Sequence, residues 1–547
     1  MKKTSKKNEA ACLSKGSLAL AIALAFAAGK AAAVSIETAN PDVSLRWDNG
    51  IRYNLGMRTE SPDRRIATHP NYDESDAKFN SGDIVSNRFD LLSEIDFAYK
   101  KEVGFRVSAS AWYDRAYRDD AIRSNPEVAA AGFPNSYSGN RYANYTKRYH
   151  AGASGEILDA FVFSNFDAGS VPVSVKLGRH SIYWGESLLT AGHGIAASQG
   201  PIDLIKALGN PGSQVKELFL PVSQASFQAG LTEELSIGGQ YFFDWRPNRY
   251  PEGGTYLGLL DSLGEGPNAL PVAPGFAFPR SQDLKPGGRG DFGVMARWSP
   301  QWLNGSAGFY YRKYDEKNPW LLLSGAAGAP TGYRLAYAQD LQLFGISLSK
   351  EFGGVSYGAE WSYRKNAALN SAPGDGGALE GARGNTHHVV VNALGLIGRT
   401  PLFDTANYLG ELVYSRLDKV TRNAALFSGL GYAPCVGKDK YDACATKNYV
   451  GIALNFTPTW FQVLPSVDLQ MPITYQTGLS GNSAVRAGGY QGQGDWSIGL
   501  TADWQQKYTF SLKYVDYLGK IKPNGQFNGE LPLTDRGWLV ATFKTAF

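Results

Sequence analysis

The feature that most constrains this sequence is a strict alternation of apolar and polar residues over long runs. In residues 43–58 the apolar side chains fall at every second position and the polar side chains fall between them. Because successive side chains of a β-strand point to opposite faces, this run predicts a two-faced strand. It is roughly two to three times longer than the usual five to six residues of a strand in a globular protein. The same pattern returns in residues 104–114, 355–364, 467–476 and 496–503.

The whole sequence contains eighteen such runs, and the connections between them alternate in length. The runs are centred near residues 50, 94, 109, 162, 178, 227, 240, 295, 309, 343, 360, 391, 412, 453, 471, 499, 512 and 541. Connections 59–87 and 115–155 are long, whereas 101–103 and 168–171 are short. Transmembrane β-barrels have short periplasmic turns and long extracellular loops. The predicted fold class is therefore all-β, a single transmembrane antiparallel β-barrel of about 18 strands.

The parity of each strand predicts which side chains line the lumen. Each Arg or Lys on the lipid face near the midplane costs roughly 2–4 kcal/mol, so the polar face is expected to point inward. The candidate pore-lining residues are Arg46, Arg52, Arg58, Arg88, Asp90, Glu94, Asp96, Arg106, Glu360, Glu411, Asp468 and Asp503. Two interpretations stay open. Opposed basic and acidic walls would orient a polar or carboxylated solute, whereas mutual neutralisation would suit a plugged or narrow barrel.

The basic character of the chain lies in its N-terminal segment. The formal net charge is +4, but residues 1–33 carry six lysines against Glu9, or +5, which leaves −1 for the rest. A Lys-rich start, the apolar run LALAIALAFAA and small residues at 31–33 predict a signal peptide over 1–33 and a barrel over 34–547. The apolar run is shorter than the roughly 20 residues of a spanning helix. A nucleic-acid partner is not expected.

Two features of the predicted external loops have a structural interpretation. Loop 185–221 contains PIDLIKAL, a short helix with proline in its first turn, and is a candidate constriction loop. Folding into the pore and lying on the rim are both open for this loop. In an exported chain, the closely spaced Cys435 and Cys444 favour one disulfide that stiffens a loop tip.

Catalytic and metal-binding patterns are sparse. The sequence has no HExxH, GxSxG, Walker A or EF-hand motif, and His180-Ser181 has no evident third partner. His387 and His388 point to opposite faces of a strand, so they cannot chelate one metal together. We therefore expect no enzymatic activity, no cofactor and no metal, with a lipid hydrolase that uses His180 or Ser187 as the least favoured alternative.

Three motifs resemble a known family. LGRHSIYWGES (177–187), PGSQVKELFLPV (211–222) and VLPSVDLQMPITYQTGLSGNS (463–483) are similar to hallmarks of the uncharacterised proteobacterial outer-membrane family called domain of unknown function thirteen-oh-two. The first motif marks Trp184, Glu186 and Ser187 as constriction-loop candidates. The resemblance implies an outer-membrane location. It assigns no catalytic residues, and its association with catabolism of hydrophobic or aromatic compounds implies uptake.

These observations predict a channel in the outer membrane of a Gram-negative bacterium. It would admit small molecules passively, with hydrophobic or aromatic organic compounds as the substrate class. The alternative is a non-conducting binding or scaffold barrel. The expected partners are outer-membrane lipid, the solute, a periplasmic partner of unknown identity, and the barrel assembly machinery, which reads the chain end RGWLVATFKTAF through Phe547.

Overall fold

The computed structural model describes residues 34–36, 38–522, 527–529 and 533–547, so the predicted signal peptide 1–33 lies outside the described residues. The strands are β1 (Val34–Ile36), β2 (Val43–Arg58), β3 (Ile84–Tyr99), β4 (Val103–Asp114), β5 (Gly152–Ala168), β6 (Val171–His180), β7 (Val222–Gly230), β8 (Leu235–Phe242), β9 (Ala269–Ala273), β10 (Phe276–Pro279), β11 (Phe292–Trp298), β12 (Gly305–Tyr314), β13 (Trp320–Ala326), β14 (Ala329–Ala336), β15 (Leu341–Phe352), β16 (Val355–Ala368), β17 (Arg383–Ile397), β18 (Thr405–Arg422), β19 (Asn448–Leu464), β20 (Val467–Gln470), β21 (Ile473–Ser480), β22 (Gly494–Trp504), β23 (Tyr508–Leu518) and β24 (Trp538–Ala546).

The helical elements are short and lie in the connections. The α-helices are α1 (Arg64–Ala67), α2 (Asp73–Ala77), α3 (Pro126–Ala130), α4 (Asn144–Thr146), α5 (Leu204–Gly209) and α6 (Val215–Leu218). Single 3-10 turns occupy Arg115–Tyr117, Gln301–Leu303, Ala424–Leu426, Ala433–Cys435 and Lys440–Asp442, and a π-turn occupies Lys147–Ala151. Among the described residues, no helix is both long enough and apolar enough to cross a membrane.

The long strands close into one antiparallel barrel of 18 wall positions, which confirms the predicted fold class. Closure is made by β2, which pairs with β3 on one side and with β24 on the other. Phe547 completes the seam, since its N–H donates to Asn49 O at 2.8 Å and its carbonyl accepts from Asn49 N at 2.7 Å. The hairpins β9–β10 and β13–β14 belong to loops, because β8 pairs directly with β11 and β12 with β15.

One wall position differs from the single strand expected over residues 467–476. There β20 and β21 are separate, and the break falls at residues 471–472. Proline has no N–H for the ladder, so Pro472 interrupts the strand. The wall stays closed across the break, because Gly499 N donates to Pro472 O at 2.9 Å and Met471 N donates to Pro458 O at 3.0 Å.

The connections sort by length as the sequence predicts. Turns such as 353–354, between β15 and β16, and 465–466, between β19 and β20, lie at the end that also holds the chain terminus. Connections at the other end are long, as in 181–221 and 243–291. In a transmembrane barrel these two ends are periplasmic and extracellular, respectively.

The two faces of the wall differ as the parity argument requires. Large apolar side chains such as Phe105, Val162, Ile346, Leu412 and Leu500 are exposed on the outer face. The intervening residues face the lumen, where loop residues bury many of them. The interior is therefore filled rather than open. One apolar cluster joins Trp184 and Ile195 to wall residues, and another packs loop residues around Trp538.

Candidate functional site

Residues 185–221, called here the inserted segment, lie against the inner faces of the barrel wall. Glu411 on β18 binds its first turn. Glu411 Oε1 accepts hydrogen bonds from Ser187 Oγ at 3.1 Å, from the backbone nitrogens of Leu189 at 3.1 Å and Thr190 at 2.6 Å, and from Thr190 Oγ1. Glu411 Oε2 accepts from Leu188 N at 2.7 Å. One wall carboxylate thus holds four consecutive residues of the segment.

Glu360 on β16 holds the segment at two further points. Its Oε2 accepts from Glu186 N at 2.8 Å and its Oε1 accepts from Ile195 N at 2.9 Å. Gly185 has φ +95°, and a Cβ at this position would clash with Glu360 Oε2. Glycine is therefore required at this approach of the backbone to the wall.

Two wall arginines bind the carbonyls of the same stretch. Arg312 Nη1 on β12 donates to Ile195 O at 2.7 Å and to the carbonyl of residue 197 at 2.9 Å. Arg364 on β16 donates to Gly192 O at 3.0 Å through Nη1 and to Gly194 O at 2.9 Å through Nη2. Buried backbone groups need partners, and here charged wall side chains supply them. The segment is consequently fixed inside the lumen and does not lie on the rim.

The second half of the inserted segment is held on the opposite wall by ion pairs. Glu217 in α6 forms a bidentate pair with Arg52 on β2, at 2.8 and 3.0 Å. Lys216 pairs with Glu94 on β3. Asp203, the N-cap of α5, pairs at 2.5 Å with Arg249, which belongs to the loop 243–291 rather than to the wall. Bidentate Arg–carboxylate pairs fix orientation as well as distance.

The predicted pore-lining residues divide into a buried group and a periplasmic group. The buried group is Arg52, Arg58, Arg88, Asp90, Glu94, Glu360 and Glu411. Arg58 reaches the loops, where it pairs with Asp76 at 2.7 Å. Arg88 pairs with Asp90 at 3.1 Å. These residues face inward, but mutual neutralisation and the loops leave little of their charge exposed to solvent.

The periplasmic group keeps solvent access. Arg106 Nε lies 2.5 Å from Asp96 Oδ1, and Arg46 Nε lies 2.7 Å from Asp48 Oδ2. Asp468 and Asp503 are cross-strand partners on β20 and β22. They are half-buried, and Asp468 Oδ1 accepts from the backbone nitrogen of residue 462 at 2.8 Å. This end of the lumen is an ionic vestibule.

The constriction-loop candidates all contact the wall. Trp184 is buried beside Tyr310, with ring centroids 6.1 Å apart. Glu186 Oε1 accepts from Ser347 Oγ at 3.3 Å. Ser187 donates to Glu411. The three residues therefore anchor the inserted segment.

A cavity of about 1730 Å³, including space open to solvent, remains beside the inserted segment. We call it cavity A. Five aromatic side chains line it, namely Tyr183, Phe219, Tyr250, Tyr314 and Tyr490. Leucine and alanine are the most frequent of the remaining lining residues, and most of them belong to the segment and the loops.

A second cavity, cavity B, of about 1000 Å³ lies along strands β18–β23. Leu189, Leu208, Gln476 and Gln493 line both cavities, so the two are adjacent across this set of residues. Asp495 on β22 also lines cavity B. The free space in the lumen is thus off-centre and mainly apolar where it meets the inserted segment.

The hydrolase candidates do not form a catalytic set with each other. His180 Nε2 lies 2.8 Å from Ser226 Oγ, and its Nδ1 lies 3.0 Å from Gly178 O. Ser187 contacts Glu411 instead of a histidine. Within the described ranges, no cluster of three or more His, Cys, Asp or Glu side chains could hold a metal ion. Cys435 and Cys444 form a disulfide, at an Sγ–Sγ distance of 2.01 Å.

Sequence reasoning missed several residues of this site. The set comprises Glu156, Asp203, Lys206, Glu217, Arg249 and Arg312. Arg312 lies at an inward position of a predicted strand, so parity could have found it. The loop residues Asp203, Glu217 and Arg249 carry no periodic signal.

No curated protein matches the sequence. Among solved structures, OccAB1 of Acinetobacter baumannii is 11% identical, with 92% of this chain and 96% of that chain covered and a TM-score of 0.42. OpdK of Pseudomonas aeruginosa with vanillate is 8% identical, with 92% and 98% covered and a TM-score of 0.40. OccD3 of Pseudomonas aeruginosa is 11% identical, with 94% and 93% covered and a TM-score of 0.39. At these identities and TM-scores the likeness assigns no function or substrate.

The family assignment comes from the sequence profile of a family described as "Protein of unknown function (DUF1302)". That profile matches residues 15–547, nearly the whole chain. The match includes the three motifs noted in the sequence, and it covers the barrel wall, the inserted segment and the loops together. The chain belongs to the DUF1302 family.

Proposed function

We propose that the protein is an outer-membrane channel for passive uptake of small hydrophobic or aromatic organic compounds. The observation that carries this proposal is cavity A, an aromatic-lined space inside a barrel whose inner wall is otherwise largely polar. Apolar cavities with a few polar groups are typical small-molecule sites. A channel must also release what it binds, and a cavity partly open to solvent is compatible with exit.

The path of the solute would follow the uncovered side of the lumen. The inserted segment packs against β2, β3, β16 and β18 through its ion pairs and hydrogen bonds. Cavity B runs along the wall beside it, where Gly451 and Gly478 are among the lining residues. A solute would therefore pass between the segment and this wall.

The proposal places the barrel in the outer membrane, with lipid on its apolar outer face. The support is physical, since exposed Val162 and Leu412 suit hydrocarbon and the closed wall leaves no unpaired strand edge. Phe547 ends the seam strand and would be the residue that the assembly machinery reads. We assign no enzymatic activity and no cofactor.

A non-conducting scaffold is the second candidate. The observation that favours it is the number of charged wall residues that hold the inserted segment, because a fixed segment can also seal a barrel. The two candidates differ in conductance and in the effect of removing the segment.

Planar-bilayer recording of the pure protein distinguishes the channel from the non-conducting scaffold. We expect discrete conductance from the intact protein, and a larger conductance when residues 186–220 are replaced by a short Gly/Ser linker. Proteoliposomes should admit benzyl alcohol faster than protein-free vesicles do. No conductance from either form would overturn the channel and leave the scaffold. A deletion strain that grows normally on aromatic carbon sources would count against the substrate class.

A further inference from the structure

Most of the buried arginines among the described residues have a carboxylate partner. The described residues include eight buried arginines, namely Arg52, Arg58, Arg88, Arg249, Arg312, Arg364, Arg383 and Arg536. Six of them lie within 4.0 Å of an Asp or Glu oxygen, as in Arg88–Asp90 at 3.1 Å and Arg383–Glu380 at 3.0 Å. Among the described residues, Arg312 and Arg364 are the two exceptions.

These two exceptions lie at the same level of the barrel wall. Leu343 on β15 pairs in register with Arg312 on β12 and with Arg364 on β16, so the arginines are two strands apart on the inner face. Each donates two hydrogen bonds to carbonyls of the inserted segment. Arg312 Nη2 and Arg364 Nε remain buried without a hydrogen-bond partner. Carbonyl dipoles compensate a buried guanidinium only in part, and an uncompensated buried charge is costly.

Both arginines act on cavity A. Arg364 and Tyr314 line it, and Arg312 Cζ lies 4.6 Å from the centroid of the Tyr314 ring. An anion that enters the cavity would therefore meet two guanidiniums, whose positive potential is opposed in part by the Glu316 carboxylate that also lines the cavity.

The other charged groups of cavity A already have contacts. Glu316 Oε1 accepts from Ser198 Oγ at 2.5 Å and from Lys317 N at 2.8 Å. Arg486 Nε donates to Pro319 O at 3.1 Å. The one carboxylate that lines cavity A is thus hydrogen-bonded to the inserted segment and to its own loop, and among the described residues no carboxylate forms an ion pair with Arg364.

We propose that cavity A is a binding site for an aromatic monocarboxylate, with the carboxylate paired to Arg364 and the ring packed among Tyr183, Phe219 and Tyr314. Arginine suits this role because its planar fork matches a carboxylate. Arg312 lies on the other side of Leu343 in the register and adds positive electrostatic potential at the site. The inference rests on the channel proposed above, since cavity A lies on its path, and it narrows the substrate class from aromatic compounds to their carboxylates.

Binding to the intact wild-type protein in detergent micelles tests the site without any substitution. Three probes of one ring size, namely benzoate, benzyl alcohol and benzylamine, are titrated by calorimetry. A hydrogen-bonded charge pair favours benzoate over benzyl alcohol by about tenfold to hundredfold, and benzylamine should bind weakest. The benzoate preference should shrink in high salt. Equal affinities, or tighter binding of benzylamine, would overturn the inference.

Variants then assign the preference to its residue. Arg364→Lys keeps the charge and should retain most of the preference, whereas Arg364→Gln should reduce the benzoate affinity to that of benzyl alcohol. Arg399→Gln is the matched control, because Arg399 is on a periplasmic turn with its side chain 85% exposed. Heat-modifiable mobility on gels checks that each variant folds. An unchanged preference in folded Arg364→Gln would also overturn the inference.

The binding and conductance results separate the two proposals. A protein that conducts but shows no benzoate preference keeps the channel and loses the aromatic carboxylate site. A protein that prefers benzoate through Arg364 but never conducts keeps the site and loses the channel.

Discussion

At the scale of single residues, Glu411 not only faces the lumen, as strand parity predicts, but also binds the inserted segment through several hydrogen bonds. Its two oxygens accept from three backbone nitrogens and two hydroxyls of residues 187–190, and also from Asn392 Nδ2 at 3.2 Å. A buried carboxylate that accepts from this many donors holds them in one arrangement. Glu411 therefore sets the position of Leu189, which lines both cavities.

Glu411→Gln should loosen the inserted segment. The amide keeps one acceptor oxygen and replaces the other by a donor, which leaves unpaired either the nitrogen of Leu188 or the nitrogens of Leu189 and Thr190. Each lost charge-assisted bond costs roughly 1.5–3 kcal/mol. We expect local opening of residues 186–197 to become about tenfold to hundredfold more frequent. Hydrogen exchange of that peptide measures the change, and bilayer recordings should show noisier currents.

Glu351→Gln is the control for this change, since Glu351 is exposed at the periplasmic end of β15. It should alter neither exchange nor current. Unchanged exchange of residues 186–197 in Glu411→Gln would show that the remaining contacts with Glu360, Arg312 and Arg364 hold the segment without Glu411.

Asp73 makes the extracellular loops sensitive to pH. It lies in α2 with 1% of its surface exposed, and burial, followed by the nearby Asp261 carboxylate, raises the pKa of Asp73 to about 7. An unfolded aspartate titrates near pH 4, so between about pH 4 and pH 7 the folded loop keeps a proton that the unfolded loop has lost. The free energy of loop unfolding should therefore fall as pH rises through that window.

Asp73→Asn should reduce this pH dependence, because the amide is neutral throughout and its oxygen can still accept from Asn125 N. The buried carboxyls of Glu74 and Asp261, whose pKa values burial also raises, keep the remaining part. Relative to wild type, we expect the free energy of loop unfolding to change little at pH 4 and to be higher by a few kcal/mol at pH 8. Each unit by which the pKa of Asp73 is raised corresponds to about 1.4 kcal/mol. Hydrogen exchange of residues 70–80, corrected for intrinsic rates, measures it at both pH values. Exposed Asp375→Asn should have no effect, and wild-type protection that rises with pH would contradict the prediction.

At the scale of elements, local parity explains what the sequence could predict. Alternation depends only on neighbours in the chain, so the long strands and the inward direction of Arg52, Asp90 and Glu411 follow from it. The residues that these wall side chains contact cannot be predicted from the alternation. Arg52 and Glu217 are 165 residues apart, and Glu411 and Ser187 are 224 residues apart. No periodic signal relates a loop residue to the wall position that it will contact.

The loop between β18 and β19 is stabilised by its own disulfide as well as by its contacts with other loops. Its disulfide closes a short stretch with a sequence separation of 9, which by loop-closure entropy contributes about 3 kcal/mol. Replacing both Cys435 and Cys444 by serine should speed proteolysis of residues 423–447 and leave the melting temperature of the barrel unchanged. Reduction of the wild-type protein should reproduce the effect. A matching fall in barrel stability would show that the loop supports the wall.

At the scale of the whole molecule, the sequence predicted the closed wall but not the filled interior. Each inward charge was compatible with a filter and with mutual neutralisation, and the choice depended on where one loop of 37 residues, 185–221, would lie. That loop neutralises Arg52 and Glu94 on one wall and binds Glu360 and Glu411 on the other. The inserted segment therefore determines which part of the lumen stays open. The apolar lining of cavity A combines residues of the segment and the loops, which strand parity does not describe, with wall residues such as Tyr314 and Leu341.

The outer face of the whole barrel gives the last prediction. Leu412 is in the middle of β18, 48% exposed, and its neighbours in register, Val391 and Ile452, are also apolar. In a bilayer, Leu412→Arg should lower the free energy of unfolding by about 2–4 kcal/mol, because a charge at the midplane must be desolvated. Leu402 is on a periplasmic turn and is 77% exposed, so Leu402→Arg should cost little. Urea unfolding of both variants in phosphatidylcholine vesicles measures the difference. Equal stabilities would mean that this face of the barrel does not meet hydrocarbon, and the membrane-spanning wall assumed for the channel would have to be abandoned.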